Sequence, residues 1–330
     1  MGGVSTSARP NRGLFRYVSG DGIHWKRYTD TTGLFTGYAM DSQNVLAWLP
    51  AEYSYAIYLR MWTGDTPGNV HLKGTRTIAR SVSKNFIHWS EPVMMQLGDA
   101  PVENLYTNAT HPYYRAPQIL VSLPFRFSPD NRILSDKQMI SNGIDSTMWK
   151  GVSDAVLMTS RGGNIYDRKF LESFVRPGLN EKNWAARSTI PALGVIPTGA
   201  NEISLFVTGA YGTKDCYLER LTLRTDSFSS LHAGYREGYA ITKPLALIGN
   251  RVMINYSASS IGYVKAVLLG EDNNELTGFG EADAELLRGD KIDREVSWKN
   301  GKTIKELGNR KVRIKFIAKD ADVYSFEVYD

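Results

Sequence analysis

The chain has 330 residues, 42% hydrophobic and 22% charged, which is enough for one large domain or two ordinary ones with a sizeable core. Its net charge of +5 is spread without a long Lys/Arg run, which argues against a nucleic-acid partner. Cys216 is the single cysteine, so an internal disulfide framework and a multi-cysteine metal site are excluded. No apolar run of about 18 residues predicts a membrane span, and positions 1–13 lack the apolar region of a signal peptide, which leaves the compartment open.

A short phrase recurs along the chain. Its copies begin at Ser19 ("SGDGIHW"), Ser83 ("SKNFIHW"), Ser160 ("SRGGNIY") and Thr225 ("TDSFSSL"). Successive starts are 64, 77 and 65 residues apart, and such a period predicts repeated structural units. We interpret the phrase as a hairpin between the third and fourth strands of each unit. Asp21 or Asn85 would bind backbone amides in the turn, and Trp25 or Trp89 would pack between neighbouring units rather than stack on a sugar.

Between these phrases the chain is predicted to form strands. The runs "NVLAWLP", "YSYAIYLRMW", "TRTIARSV" and "SEPVMMQL" predict one four-stranded antiparallel meander. The next units contain "YYRAPQILVSLPFRF", "DAVLMTSR" and "YDRKFL", then "IPALGVIPT", "ISLFVTGAYG" and "YLERLTLRT". Strand-rich units of about 65 residues indicate the blades of a β-propeller over residues 1–237. The longer second interval contains "SPDNRILSDKQMISNGIDSTMWKG", interpreted as a polar, turn-rich insertion, and the best short helix candidate is 283–288.

The period is lost from Gly238 onward. Short alternating strands with turn signals predict a separate C-terminal β-sandwich over 238–330. In "KVRIKFIAKD" the apolar Val312, Ile314 and Phe316 would face the core, while Arg313 and Lys315 would face solvent. The predicted fold class is therefore all-β, a propeller followed by a sandwich.

Taken together, "SGDGIHW", "AMDSQNVLAW", "LYTNATHPYYRAPQILVSLPFRF", "DAVLMTSRGG", "FVRPG" and "DADVYSF" resemble glycoside hydrolase families 32 and 43. The resemblance covers roughly residues 14–328. It implies a five-bladed propeller glycosidase, with a C-terminal sandwich as in family 32, and it does not fix the sugar.

The chain departs from that pattern at its start. Five blades of about 65 residues need more chain than the roughly 235 residues before Gly238, and the Asp-Pro motif of the relatives' first blade has no counterpart in positions 1–18. The resemblance then allows a truncated relative, a ring closed by a partner chain, or a protein that has abandoned catalysis. The first is preferred, and an open blade edge is expected to favour self-association.

Glycoside hydrolysis uses two carboxylates, one on either side of the scissile bond. Asp41 occupies the place of the family 32 Arg-Asp-Pro aspartate, and the alternative is a turn residue. Glu103 is a candidate general acid, and the alternative is an exposed loop carboxylate. Asn108, nearer the strand, puts that role in doubt because an amide cannot donate a proton as an acid does. Glu172 is a third candidate, and the alternative is a surface residue on an outer strand.

A larger set of side chains suits sugar hydroxyl or carboxylate groups, because amides and guanidinium groups are directional donors and tyrosine offers an apolar face. The predicted substrate-binding residues are Gln43, Asn44, Arg60, Tyr106, Asn108, Arg115 and Arg126. Arg60 and Arg126 end apolar runs, where a buried, paired arginine is an equal alternative. The five histidines are scattered, so no metal site is predicted.

Two functions remain open. The first is a glycoside hydrolase acting on an oligo- or polysaccharide, with activity weakened by absent upstream blades. The second is a non-catalytic carbohydrate-binding propeller. Both predict a carbohydrate ligand and no cofactor, nucleic acid or membrane partner. Full-length relatives are expected to be exported.

Overall fold

A computed structural model of the chain describes residues 2–6, 13–28, 33–38, 42–66 and 71–330. The chain divides into two compact units. The first contains Met1–Ile196 and Ser204–Leu221, and the second contains Pro197–Ile203 and Thr222–Asp330. The predicted boundary between positions 237 and 238 stays a prediction. No helix in the described part of the chain has the length and apolarity that a membrane crossing requires.

Two small antiparallel sheets come first. The first has the order β1 (Gly2–Thr6), β2 (Leu14–Val18), β3 (Lys26–Arg27). The second has the order β4 (Val45–Leu49), β5 (Ser54–Trp62), β6 (Arg76–Ser83), β7 (Val93–Met94), with a 3-10 turn at Pro50–Glu52. The second sheet confirms the predicted four-stranded meander.

The next region contains seven strands in two interleaved sheets. They are β8 (Asn104–Leu105), β9 (His111–Tyr113), β10 (Ala116–Ser122), β11 (Phe125–Ser128), β12 (Val152–Val156), β13 (Met158–Ser160) and β14 (Ser173–Val175). The sheet orders are β9-β10-β13 and β8-β11-β12-β14. The strand-rich run "YYRAPQILVSLPFRF" forms a hairpin followed by a break at Leu123 and Pro124. Proline lacks an amide hydrogen for the strand ladder, so the pairing changes there.

The insertion between β11 and β12 contains α1 (Asp136–Ser141) and a 3-10 turn at Ser146–Met148. Ser135 caps α1 in a capping box with Gln138. The side chains of Leu134, Met139, Ile144 and Met148 are buried in one cluster. The prediction of a polar, turn-rich insertion was therefore incomplete. The helix predicted at 283–288 is absent, since that stretch has turns and two isolated bridges.

A fifth small sheet has the order β15 (Ile196–Gly199), β16 (Glu202–Gly209), β17 (Tyr217–Arg224), preceded by a 3-10 turn at Glu181–Asn183. In the first unit, one apolar cluster joins residues of the first and second sheets, and another joins the second sheet to β8, β10, β12 and β13. Successive small antiparallel sheets that bury both faces against their neighbours are the arrangement of propeller blades, so the predicted all-β propeller class is confirmed.

The second unit is a larger antiparallel sheet. Its strands are β18 (Leu231–Ala233), β19 (Gly238–Ile241), β20 (Leu245–Ala246), β21 (Arg251–Leu269), β22 (Asp290–Glu295) and β23 (Lys311–Tyr329), with a 3-10 turn at Ile304–Leu307. The register of β21 with β23 shifts at two places, and such bulges let long strands bend so that the sheet curls around one core. Val312, Ile314 and Phe316 are buried as predicted.

The repeated phrase forms the same turn in its first two copies. Asp21 Oδ1 accepts hydrogen bonds from the amides of Ile23 and His24 at 2.9 and 2.8 Å, and Asn85 Oδ1 accepts from the amides of Ile87 and His88 at 3.0 and 2.9 Å. In both copies the tryptophan indole donates to the carbonyl three residues earlier. The second copy lies between the third and fourth strands of its sheet, as predicted.

Candidate functional site

The segment before β4 meets the segment before β9. Gln43 Oε1 accepts from the backbone amides of Asn108 and Ala109 at 3.2 and 2.7 Å. The Ser42 hydroxyl donates to the carbonyl of Tyr106, and Asn44 Nδ2 donates to the carbonyl of Ser42 at 3.0 Å. Asp41 lies outside the described residues, so its predicted role is untouched by this geometry. Two blade openings that are distant in sequence are thus fastened together by side-chain to backbone hydrogen bonds.

Asn108 is 1% exposed and its amide group faces the interior. Its Oδ1 accepts from the Thr110 amide at 3.0 Å, and its Nδ2 donates to the carbonyls of Gln43 and Tyr58 at 3.4 Å. These bonds satisfy a buried amide side chain, which is costly to leave unpaired. Substrate binding by Asn108 stays a prediction, and it would require this network to rearrange.

Tyr106 lies at the centre of an arginine cluster. The guanidinium carbon of Arg60 is 4.7 Å from the Tyr106 ring centroid, that of Arg76 is 5.1 Å and that of Arg187 is 6.0 Å. These distances fit cation–π contacts, in which the negative ring face attracts a guanidinium group. We call Tyr106, Arg60, Arg76 and Arg187 the arginine cluster. The Tyr106 ring contacts guanidinium groups, whereas the sequence analysis predicted an apolar ring face that packs against a sugar.

Arg126 and Glu103 belong to a separate ion-pair network. Arg126 binds Asp154 through two nitrogens, at 2.8 and 2.6 Å, and Glu103 Oε1 at 2.9 Å. Hydrogen bonding to Asp154 and the charges of Asp154 and Glu103 raise the pKa of Arg126 above its ordinary value. Glu103 Oε2 also pairs with Arg168, whose side chain is fully buried. Both oxygens of Glu103 thus face guanidinium groups, as in a structural counter-ion. A general acid role would require Glu103 to leave one of these pairs.

The other two predicted residues lie elsewhere in the first unit. Arg115 is in the turn between β9 and β10, and Glu172 is exposed immediately before β14, an edge strand of its sheet. The alternative interpretation of Glu172 as an outer-strand surface residue agrees with this placement.

Sequence reasoning missed Arg76 and Arg187 because neither stands at a predicted blade opening.

Sequence reasoning also missed a cavity of about 580 Å³ beside Arg126. Trp184, Arg176, Asn131, Asp154 and Pro177 are among the residues that line it. Arg176 and Pro177 belong to the phrase "FVRPG", which was the sequence signal that could have pointed to this cavity. The aromatic ring, amide and guanidinium group of this lining suit a small polar ligand.

His111 is held by two backbone contacts. Its Nδ1 lies 3.0 Å from the Ala109 carbonyl, and its Nε2 accepts from the Val195 amide at 3.2 Å. Burial lowers the pKa of His111, which favours the neutral ring that such an acceptor requires. Within the described ranges, no three His, Cys, Asp or Glu side chains group as metal ligands would.

Three comparisons bear on this architecture. No family model and no curated protein sequence matches the chain. Among solved structures, it is similar to an N-acetylgalactosamine deacetylase from F. plautii in complex with blood group B trisaccharide, at 10% identity and a TM-score of 0.43. That match covers 66% of this chain and 65% of the deacetylase, so the chain spans less than two thirds of that relative.

Two glycoside hydrolases are also similar. A family 43 arabinoxylan arabinofuranohydrolase from Bacillus subtilis in complex with cellotetraose matches at 8% identity and a TM-score of 0.30, over 100% of this chain and 78% of that one. A family 32 β-fructofuranosidase of Bombyx mori matches at 9% identity and a TM-score of 0.34, over 99% and 76%. Since all three TM-scores are below 0.5, no residue role or activity is transferred from these proteins.

Proposed function

We propose that the protein binds an oligo- or polysaccharide where the openings before β4 and β9 meet. The observation that carries the proposal is the meeting of these two segments, joined by Gln43, with Arg60 of β5 against the ring of Tyr106. Propeller ligands are bound where loops of adjacent blades meet at one end of the sheets. Guanidinium and amide groups held in fixed positions are suited to directional hydrogen bonds with sugar oxygens.

Hydrolysis of a glycosidic bond is the second part of the proposal. Asp41, one residue before Ser42, is its candidate carboxylate, and Glu103 is the candidate acid. The competing function is non-catalytic carbohydrate binding. It is favoured by the engagement of Glu103 and Asp154 in ion pairs with Arg126, since a catalytic pair needs carboxyl groups that can reach the substrate.

The test is a glycan-binding screen followed by turnover assays on every glycan that binds. We expect at least one carbohydrate to bind, and any hydrolysis to be lost in D41N, since an amide cannot act as a nucleophile or a base. Asp99, an exposed aspartate, supplies the matched control D99N. Full hydrolysis by D41N would contradict the catalytic assignment, and binding without turnover would establish the non-catalytic alternative. Absence of binding to every glycan class would contradict the proposal.

A further inference from the structure

The cavity of about 580 Å³ beside Arg126 is built on one face of a sheet. Its floor contains two pairs of directly opposed side chains from neighbouring strands, Arg126 and Ser128 of β11 with Asp154 and Val152 of β12. Because side chains alternate along a strand, Phe127 points to the opposite face of β11. There Phe127 packs against Tyr106, with ring centroids 6.5 Å apart. The cavity is therefore separate from the proposed carbohydrate site.

One wall of the cavity is the segment 176–179, which follows β14. The buried Asn183 side chain donates to the Pro177 carbonyl at 2.9 Å. The Trp184 indole donates to the Gly178 carbonyl at 2.8 Å. Two side chains thus bind successive carbonyls and hold the segment in one conformation. The wall is formed before any ligand arrives, as is usual for sites that bind small molecules.

Part of the lining is apolar. Val152, Pro177, Leu179 and Trp184 all line the cavity. Leu179 is fully exposed and Trp184 is half-buried, so both present apolar surface to the open cavity. A ligand with an aromatic or alkyl body would remove this surface from water, which is the main favourable contribution to binding in such a site.

The charges of the lining do not balance. Arg126 and Asp154 form an ion pair through two nitrogens, at 2.8 and 2.6 Å, and so compensate each other. Arg176 also lines the cavity and is exposed. Among the described residues, the Arg176 guanidinium group has no hydrogen-bond or ion-pair partner. One positive charge is therefore left over at the edge of a partly apolar cavity.

We infer that this cavity binds a small organic acid, a carboxylate joined to an aromatic or alkyl body. The inference goes beyond the proposed function, because both the site and the ligand class are different. The Arg176 guanidinium group offers two parallel donors that match the two oxygens of a carboxylate. Asn131, which lines the same cavity, adds an amide donor. One uncompensated positive charge matches a carboxylate better than a phosphate monoester, which carries a charge of about −1.5 to −2 at pH 7.

The test is isothermal titration calorimetry of the full chain with 3-phenylpropionate, indole-3-acetate and hexanoate, each compared with its primary amide. We expect at least one acid to bind about tenfold or more tightly than its amide, as for loss of a charge-assisted pair. R176Q should remove most of this preference and leave the affinity for the amide unchanged, and R176K should keep part of it. L179A should weaken acid and amide alike, because it removes apolar contact. Both side chains are exposed, so thermal unfolding of these variants should match that of the unmodified protein.

Arg161 supplies the matched control, because it is exposed in the same unit and does not line the cavity. R161Q removes the same charge elsewhere and should bind the acids as the unmodified protein does. The inference is wrong if no acid binds, if acids and amides bind equally, or if R176Q binds as R161Q does. Tighter binding of phenyl phosphate than of 3-phenylpropionate would contradict the carboxylate assignment. Displacement of a bound acid by a neutral oligosaccharide would assign the cavity to a carbohydrate and overturn the inference.

Discussion

The two tryptophans of the repeated turn have the same local bonds and different surroundings. Trp89 is half-buried against the apolar cluster shared by the first two sheets, whereas Trp25 is 41% exposed. We expect W89A to lower the free energy of unfolding by about 2–3 kcal/mol because it leaves a cavity. W25A should cost less than about 1 kcal/mol, as surface substitutions do. Urea denaturation measures both, and equal losses would show that Trp89 does not pack between sheets.

Asp21 and Asn85 occupy matching positions, and one of them titrates. Hydrogen bonds from the His24 side chain, and then from the His24 and Ile23 amides, hold the pKa of Asp21 below its ordinary value. A carboxyl whose pKa is lower in the folded state stabilises the fold above its unfolded pKa and loses that contribution as pH falls. We therefore expect D21N to lower the melting temperature at pH 7 and to have a smaller effect below about pH 3.

The control for this prediction is N85A, which removes the matching acceptor, an amide that carries no ionisable group. Its effect should vary less between the two pH values. If D21N is equally destabilising at pH 7 and in acid, the ionised carboxylate is not what stabilises the first turn.

The sequence predicted the turn of the repeated phrase better than it predicted the contacts of the candidate site. The small, polar and aromatic residues of the phrase were sufficient to predict its turn, because the hydrogen bonds of that turn are local. No feature of the sequence indicated that the side-chain oxygen of Gln43 accepts from amides 65 and 66 residues away. The arginine cluster depends on Tyr106 meeting Arg76 and Arg187 across several strands. Such long-range contacts have no signature in a single sequence.

The short helix α1 depends on its cap. Ser135 and Gln138 exchange hydrogen bonds across its first turn, and a helix of six residues gains little stability from its own backbone. We expect S135A to lower the free energy of unfolding by about 1 kcal/mol. S141A is the matched control, because Ser141 bonds back to the Gln138 carbonyl and contributes little. Urea denaturation compares the two, and a larger loss for S141A would contradict the capping assignment.

Strands in which apolar and polar residues alternate between turn-forming residues were predictable from the sequence. This pattern predicted the strands β4 to β7 and the buried face of β23. The hairpin at Tyr114 and Arg115 was missed since neither residue is a typical turn former. Helix α1 was missed because six residues are too few for helical periodicity, although Ser135 followed three residues later by Gln138 is a readable start signal.

At the scale of the molecule, the second unit seen in the structure and the boundary predicted from the sequence define different fragments, residues 222–330 and 238–330. Strand β18 pairs with β23, and Arg224 binds Asn255 at 2.8 Å within the second unit. A fragment of residues 222–330 keeps these contacts, and one of residues 238–330 loses them. We expect the longer fragment to unfold at a higher urea concentration. Equal midpoints would instead favour the sequence-based boundary at 238.

The claim that a carbohydrate binds where the β4 and β9 openings meet is tested most directly by a crystal structure of the full chain with the tightest-binding oligosaccharide from the glycan screen. We expect a sugar within hydrogen-bonding distance of the guanidinium group of Arg187 or Arg60, beside Tyr106. A sugar bound only elsewhere, such as in the cavity lined by Trp184 and Arg176, would contradict it.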